Sequence, residues 1–186
     1  MSLTVILRPN GMGAYSYSDN VKQGWHYNDG LAYAQIDEEE LSDADYWGIY
    51  TNTTNSGGNR IRKSFTLPDV SLSGIIESVA VYFRVSGDNS YSMIPFVYTH
   101  TDIYYGAQVV PTPENSNITY SASWATNPNT GIAWTWEEIN ALEPGIELYS
   151  AGYSGNAYSD AKNYWLYVVV TYRGLGCPRA QIIGMW

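Results

Sequence analysis

Short segments in which apolar and polar residues alternate follow one another along most of this 186-residue chain. The clearest covers residues 75–85, where the large apolar side chains share one face and only Glu77 departs from the pattern of a half-buried strand. Similar segments occur at 3–7, 31–36, 46–50, 61–67, 92–98, 103–110, 118–124, 146–150 and 164–172. Pro95 removes a backbone donor from one of them, which predicts an edge strand or a bulge there. About nine to ten short strands at even spacing predict an all-β fold, an antiparallel β-sandwich of jelly-roll-like type.

One segment, residues 135–142, carries a helix start signal instead. Thr135 can accept a hydrogen bond from the third helical amide, and the Glu138 carboxylate can reach back to the cap amide, which is the pattern of a capping box. The run should end where Pro144 cannot continue a helix and Gly145 accepts a left-handed turn. We therefore expect one short helical turn that joins two strands.

Length and composition favour a single β-sandwich domain, residues 1–173, followed by an apolar tail, residues 174–186. A chain of 186 residues can bury a core without disulfides or metals, and the single cysteine, Cys177, excludes an internal disulfide. The tail contains four apolar residues, Ile182, Ile183, Met185 and Trp186. Because termini are usually polar and loose, we expect these four to dock on the chain's own sandwich or on a neighbouring subunit.

Charge and hydropathy exclude two classes of partner. The formal net charge is −9, and the basic residues are scattered except for Arg60, Arg62 and Lys63. Duplex binding requires clustered Lys and Arg, so no nucleic-acid partner is expected. Since no stretch is long and apolar enough to span a bilayer, no membrane insertion is expected either.

Aromatic residues suggest a binding surface. The chain has 18 Tyr and 7 Trp but only 3 Phe, and such rings suit half-buried pleated surfaces that stack on sugars or anchor protein interfaces. The candidate glycan contacts are Trp124, Trp134, Tyr153 and Tyr158. The alternative is structural, because Trp134 and Trp136 flank the predicted helical turn and could pin it to the core.

The acidic run at residues 37–45 is a candidate ion site. It gathers six carboxylates, and calcium takes several oxygen ligands from one loop. The weak candidate ligands are Asp37, Glu39, Asp43 and Asp45. The run lacks the glycine and terminal glutamate of an EF-hand loop, so a solvated acidic turn is the alternative and no cofactor is expected.

No catalytic constellation emerges from the residues. Glu137 and Glu138 are adjacent, whereas hydrolysis by paired carboxylates needs two acids that face each other across a cleft, and capping already accounts for Glu138. Motifs for phosphate binding, dinucleotide binding and a nucleophilic serine elbow are absent from the sequence. The chain is therefore predicted not to be an enzyme.

Five segments in order carry a family resemblance: LTVILRPNG, IDEEELSDADY, IIESVAVYFRV, PNTGIAWTWEEINALEPGIEL and YWLYVVVTY. Together they resemble a loosely defined group of small β-sandwich proteins, virion or tail-associated, that tailed phages and related viruses encode. The resemblance implies a jelly-roll-like sandwich that serves on a virus particle as a capsid decoration or as a head or tail fibre component. It also implies assembly in the host cytoplasm, with copies of itself and other virion proteins as partners.

Three functions follow from these observations. The first is a non-enzymatic virion structural protein that mediates protein assembly. The alternative is a carbohydrate-binding module or receptor-binding domain that uses surface Trp and Tyr, with a surface glycan as partner. A hydrolase acting on surface polysaccharide ranks last, since it would require Glu137 or Glu138 to act as a catalytic acid.

Overall fold

Two antiparallel sheets and one short helix form the described part of the chain, residues 1–19, 24–27, 46–51, 59–87, 91–112, 116–150 and 159–174 of a computed structural model. The strands are β1 (Ser2–Leu7), β2 (Gly11–Asp19), β3 (Gly24–Tyr27), β4 (Trp47–Thr51), β5 (Asn59–Thr66), β6 (Ile75–Gly87), β7 (Tyr91–Thr99), β8 (Asp102–Tyr105), β9 (Ile118–Trp124), β10 (Glu143–Ser150) and β11 (Ser159–Arg173). The helix, α1 (Trp136–Asn140), lies between β9 and β10. The predicted all-β antiparallel sandwich with one helical turn is confirmed.

The described residues contain eleven strands, slightly more than predicted. The alternation of apolar and polar residues did not predict β2 and β3. β2 consists mainly of Gly, Ser and Tyr, a composition that is typical of a polar loop. The predicted strand at 31–36 lies outside the described residues. The predicted strand at 103–110 reduces to β8 and one isolated bridge between Met93 and Val109.

The long strand β11 organises the first sheet, which has the order β3-β4-β11-β6-β9. One edge of β11 pairs with β6 along most of its length. The opposite edge is shared, because β4 pairs with residues 159–163 and β1 with residues 168–173. The second sheet has the order β2-β5-β10-β7-β8.

Each sheet buries one face in a common core. The first sheet contributes Val79, Val81, Phe83, Val85, Leu166, Val168 and Val170, and the second contributes Ile61, Phe65, Met93, Val97, Ile146 and Leu148. Along each strand these positions alternate with outward-facing residues, because successive side chains of a β-strand point to opposite faces. Full burial of an aliphatic or aromatic side chain of this size stabilises the fold by about 1.5–3 kcal/mol.

The start of β6 departs from the predicted face. Ile75 is 49% exposed, whereas Ile76 is buried. In the pairing with β11, Ser78 faces Thr171 and Ile76 faces Tyr172, so Glu77 is an extra residue, a β-bulge. The bulge reverses which side chains point inward, and it explains why Glu77 breaks the alternation in the sequence.

The capping box is present at α1 as predicted. The Glu138 amide donates to Thr135 Oγ1 at 3.1 Å, and the Thr135 amide donates to a Glu138 carboxylate oxygen at 2.8 Å. Two tryptophans hold the turn against the sandwich. The indole N–H of Trp134 donates to the Trp124 carbonyl, and that of Trp136 donates to the Gly74 carbonyl, each at 3.2 Å. The interpretation of these two tryptophans as pins is confirmed.

The predicted left-handed turn at Gly145 is wrong, because residues 143–145 already belong to β10. Among the described residues, the glycines with positive φ are Gly74 and Gly131. Glycine is required at position 145 because neighbouring atoms leave no space for a side chain. A Cβ built there would meet the Phe96 ring, and it would lie 2.5 Å from the Lys63 carbonyl oxygen.

Pro95 lies in an interior strand, so the edge alternative is wrong. Its carbonyl accepts from the Gly106 amide at 2.8 Å. Phe96 pairs with Tyr105 and Met93 pairs with Val109, so the partner segment has one residue more than β7 over this interval. The proline therefore faces a pairing irregularity, in agreement with the bulge alternative.

Replacing Gly145 by Ala tests the close approach over β10. We expect Gly145→Ala to lower the free energy of unfolding by about 1–3 kcal/mol, because the added methyl group must displace a buried ring or a backbone carbonyl. Urea denaturation followed by circular dichroism measures this change. Gly174→Ala is the control. Within the described residues, only Leu3 Cδ1 would lie near its Cβ, at 3.8 Å, so its effect should stay within about 0.5 kcal/mol. Equal losses in the two variants would contradict the steric explanation.

Candidate functional site

The face of the second sheet that points away from the core carries rings and charges. Successive residues of a strand point to opposite faces, so the neighbours of the core residues in β5, β7 and β10 share this outer face. We call it the tyrosine face and define it as Tyr15, Arg60, Arg62, Ser64, Phe96, Tyr98, Tyr105, Glu143, Gly145, Glu147 and Tyr149.

Four rings form a continuous array on the tyrosine face. Tyr15 stacks on Tyr98 with 5.6 Å between ring centroids, and it meets Phe96 edge to face at 6.2 Å. Phe96 meets Tyr105 in the same way at 6.0 Å. Phe96 is fully buried beneath its neighbours, whereas Tyr15 and Tyr98 are half-buried and Tyr105 is 44% exposed. The array thus has a buried base and partly accessible rings.

Tyr15 crosses from β2 to β7 because the residues beneath it leave room. The pairing of β2 with β5 is irregular between Met12 and Ser16, and the segment between them is held by side chains. The Tyr15 amide donates to Ser64 Oγ at 3.0 Å, and the Ala14 amide donates to a Glu143 carboxylate oxygen at 2.9 Å. Ser64 and Gly145 are small, so the ring can lie across β5 and β10. The irregular segment therefore places Tyr15 on the array.

A buried carboxylate lies at the centre of the face. Glu147 has 1% side-chain exposure; its Oε1 lies 3.1 Å from Arg60 Nε, and its Oε2 pairs with Arg62 Nε. The Tyr105 hydroxyl donates to the same Oε2 at 3.2 Å. Arg62 Nη1 donates to the Tyr15 hydroxyl at 3.0 Å. The pair of Arg62 and Glu147 therefore holds two tyrosines that reach it from the two edge strands of the sheet.

The guanidinium groups also lie over rings. Arg60 is 5.2 Å from the ring centroid of Tyr149, and Arg62 is 5.7 Å from that of Tyr105. A cation over an aromatic face is attracted by the ring quadrupole. These contacts restrict both side chains and orient their planar donors.

Two groups of the tyrosine face, Tyr105 and Arg62, have raised pKa values. Burial raises the pKa of Tyr105 to about 12, and the negative charge of Glu147 contributes in the same direction. Burial alone would lower the pKa of Arg62, but hydrogen bonds to Glu147 and Tyr15 outweigh it and raise the pKa above the ordinary value. The Tyr105 phenol therefore stays a donor, and Arg62 stays charged.

The arrangement is suited to binding rather than to proton transfer. Both oxygens of Glu147 are paired with guanidinium groups, and Glu143 accepts hydrogen bonds from Ser64 and the Ala14 amide. A general acid or base must reach the proton it transfers, and these carboxylates are already engaged. What remains accessible is ring surface, hydroxyl groups and the edge of Arg60.

The two tryptophans predicted to contact a glycan lie elsewhere. Trp134 is 3% exposed, so its ring has no face for a sugar to stack on. Trp124 is half-buried against the core and lies opposite Val79 on the inner side of the first sheet. Neither belongs to the tyrosine face. The other two glycan candidates, Tyr153 and Tyr158, lie outside the described residues.

Two further predicted sites also fall outside the described residues. They are the weak calcium candidates Asp37, Glu39, Asp43 and Asp45, and the tail residues Ile182, Ile183, Met185 and Trp186. Assembly through the tail and a role on a virion therefore stay predictions. Within the part of the chain that is described, no group of three or more His, Cys, Asp or Glu side chains could hold a metal ion. No helix there has the length and apolarity to cross a membrane.

A cavity of about 440 Å³ lies beside α1. It is lined by Thr99, His100, Thr135, Glu137, Glu138 and Ala141. Glu138 takes part in the capping box, and its other oxygen is 3.6 Å from His100 Nε2. Glu137 is its neighbour on the same helical turn, so the two glutamates do not face each other across the cavity. The geometry of a paired-acid hydrolase is therefore not formed by these two residues.

Sequence reasoning did not identify the tyrosine face, although part of its signal was present. Arg60 and Arg62 belong to the one group of clustered basic residues, and Arg62 follows Ile61 in a segment predicted as a strand. Tyr98 and Glu147 occupy the outward positions of segments predicted as strands. What could not be seen is which strands become neighbours, because pairing between β5, β10 and β7 joins segments that are distant in sequence.

No protein-family model matches the chain, and no curated protein matches it in sequence. Among solved structures, it is similar to a family 61 carbohydrate-binding module in complex with β-1,4-galactotriose, with 9% identity, a TM-score of 0.43, and coverage of 85% of this chain and 90% of that one. A mutant of a family 29 carbohydrate-binding module gives 9% identity, a TM-score of 0.44 and 92% coverage of both chains. Another mutant of a family 29 carbohydrate-binding module, complexed with mannohexaose, has 10% sequence identity and a TM-score of 0.42, and the match covers 92% of both chains. At these scores, neither a ligand nor a site follows for this chain.

The raised pKa of Tyr105 predicts a stability contribution that depends on pH. In the unfolded chain the phenol should titrate near its ordinary value of about 10. Because the folded value is about 12, the contribution is fully present below pH 10 and is lost as the pH rises from 10 to 12. The measurement is the ¹³C chemical shift of Tyr105 Cζ in tyrosine-labelled protein, whose signal is identified by its absence in Tyr105→Phe. We expect the titration of this shift to have its midpoint near pH 12. Circular dichroism shows whether the protein is still folded at each pH. A midpoint at or below pH 10 in the folded protein would contradict the raised pKa that partial burial and the charge of Glu147 predict.

Proposed function

We propose that this chain is a carbohydrate-binding domain without catalytic activity, and that it binds its glycan across the tyrosine face. The observation that carries the proposal is the continuous array of Tyr98, Tyr15, Phe96 and Tyr105 next to charged and hydroxyl groups on an outer sheet face. Planar rings stack on the apolar faces of sugar rings, and neighbouring polar groups bind the hydroxyl groups.

Preorganisation supports the proposal. The hydrogen bonds from Arg62 to Tyr15 and from Tyr105 to Glu147 hold the two outer rings from opposite edges of the sheet. Binding costs less when side chains are ordered before the ligand arrives, because less rotamer entropy is lost. A glycan would therefore meet rings that already have a fixed spacing.

Exposure supports it as well. Tyr105 is 44% exposed, and the side chain of Arg60 is 40% exposed, although both make specific contacts to the buried Glu147. A network needed only for stability could bury these groups further. Their partial exposure leaves ring edge, phenol and guanidinium available to a ligand.

The test is glycan-array screening of the purified chain, followed by titration calorimetry with the best ligand and two variants. We expect Tyr98→Ala and Tyr105→Ala each to weaken binding about tenfold, equivalent to the loss of about 1.4 kcal/mol of ring contact. The control is Tyr82→Ala. Tyr82 stacks on Tyr167 at 5.2 Å on the outer face of the first sheet, so its removal also deletes a ring contact but leaves the tyrosine face intact.

Three results would count against the proposal. The first is that no glycan binds to a correctly folded chain at millimolar concentration. The second is that Tyr82→Ala weakens binding as much as the variants of the tyrosine face, because the effect would then come from the stability of the sandwich. Capture of protein ligands instead of glycans by the same face would replace the proposal with a protein interface.

A further inference from the structure

Arg60 has donors that the described structure does not use. Its Nε is paired with Glu147 Oε1 at 3.1 Å, and its guanidinium plane lies over Tyr149. Within the described residues, no acceptor takes a hydrogen bond from its two terminal nitrogens. The side chain is 40% exposed, so these two donors reach solvent at the open side of the face.

The positive charges around Glu147 outnumber its single negative charge. Arg60 and Arg62 both pair with this one carboxylate, which leaves an excess of one positive charge among the three side chains. Glu143 lies four residues earlier in β10, about 13 Å from Glu147 at 3.3 Å per residue, and it accepts hydrogen bonds from Ser64 and the Ala14 amide. The chain has only nine Lys and Arg residues and a net charge of −9, so two arginines on one face form a local exception.

The geometry of a guanidinium selects a particular ligand group. Arginine presents parallel donors in a fixed fork that matches the two oxygens of a carboxylate. A sugar hydroxyl can accept from only one of these donors and adds no charge. A uronic acid supplies both oxygens and the missing negative charge, while its ring can stack on the neighbouring tyrosines.

We propose that the glycan bound at the tyrosine face is acidic, and that Arg60 binds the carboxylate of a uronic acid residue. This inference rests on the proposed function. The carboxylate lies at the Arg60 end of the face, and uncharged parts of the glycan extend over the ring array toward Tyr98, because the opposite end carries Glu143.

The experiment compares acidic oligosaccharides with their uncharged counterparts. The probes are oligomers of galacturonic acid, alginate and hyaluronan, each paired with its carboxyl-reduced form, and neutral oligosaccharides complete the set. Calorimetry at low salt should show at least tenfold tighter binding of one acidic probe than of its reduced form. Since screening weakens exposed charge pairs, the difference should shrink at 1 M salt.

Variants then assign the preference to Arg60. We expect Arg60→Gln to abolish the difference between the acidic probe and its reduced form, because it weakens binding of the acidic probe much more than binding of the reduced form. Arg60→Lys should retain part of the preference, because the charge remains but the forked pair of donors is lost.

Arg84→Gln on the outer face of the first sheet is the matched control. It should change neither the affinity for the acidic probe nor that for its reduced form.

The possible failures are distinguishable. If the chain binds neutral oligosaccharides as tightly as acidic ones, or if Arg60→Gln weakens both forms equally, the inference is overturned and the proposed function survives. If no oligosaccharide binds to the folded chain, both fail. Thermal unfolding of each variant shows whether a loss of affinity reflects a loss of the fold.

Discussion

A buried carboxylate determines the organisation of the tyrosine face. Taking an unpaired carboxylate out of water costs several kcal/mol, so the side chains around Glu147 must supply charge and hydrogen bonds. Arg60, Arg62 and Tyr105 do so, and Arg62 in turn binds the hydroxyl group of Tyr15. The network therefore fixes two rings that come from opposite edges of the second sheet.

The same network is the reason for proposing a binding function rather than a catalytic one. Its carboxylates are already paired, whereas its rings and the terminal nitrogens of Arg60 remain partly accessible. Under the proposed function, preordered rings would give a sugar its stacking surface, and an oriented guanidinium would give an acidic sugar its partner. Both proposed properties depend on the same buried carboxylate.

The local signal for the start of the helix was reliable, whereas features that depend on distant strands could not be predicted. The capping box of Thr135 and Glu138 lies within four residues, and the structure contains it as predicted. The bulge at Glu77 depends on pairing between β6 and β11. Gly145 is required because Phe96 and Lys63, from two other strands, approach its Cα. In the sequence, the bulge appears only as one interruption of the alternation, and the close approach at Gly145 leaves no local pattern.

The sequence by itself determined the all-β class, the position of the single helical turn and the inward residues of most strands, because period and capping are properties of neighbouring residues. Only the tertiary structure decided where a ligand could bind. Trp134, a glycan contact predicted from the sequence, is buried. The fold instead brings together four residues from four different strands: Tyr15, Arg62, Tyr105 and Glu147. The physical reason is that strand order and register set which outward side chains meet, and hydrogen bonding between backbones allows many orders for the same alternating segments.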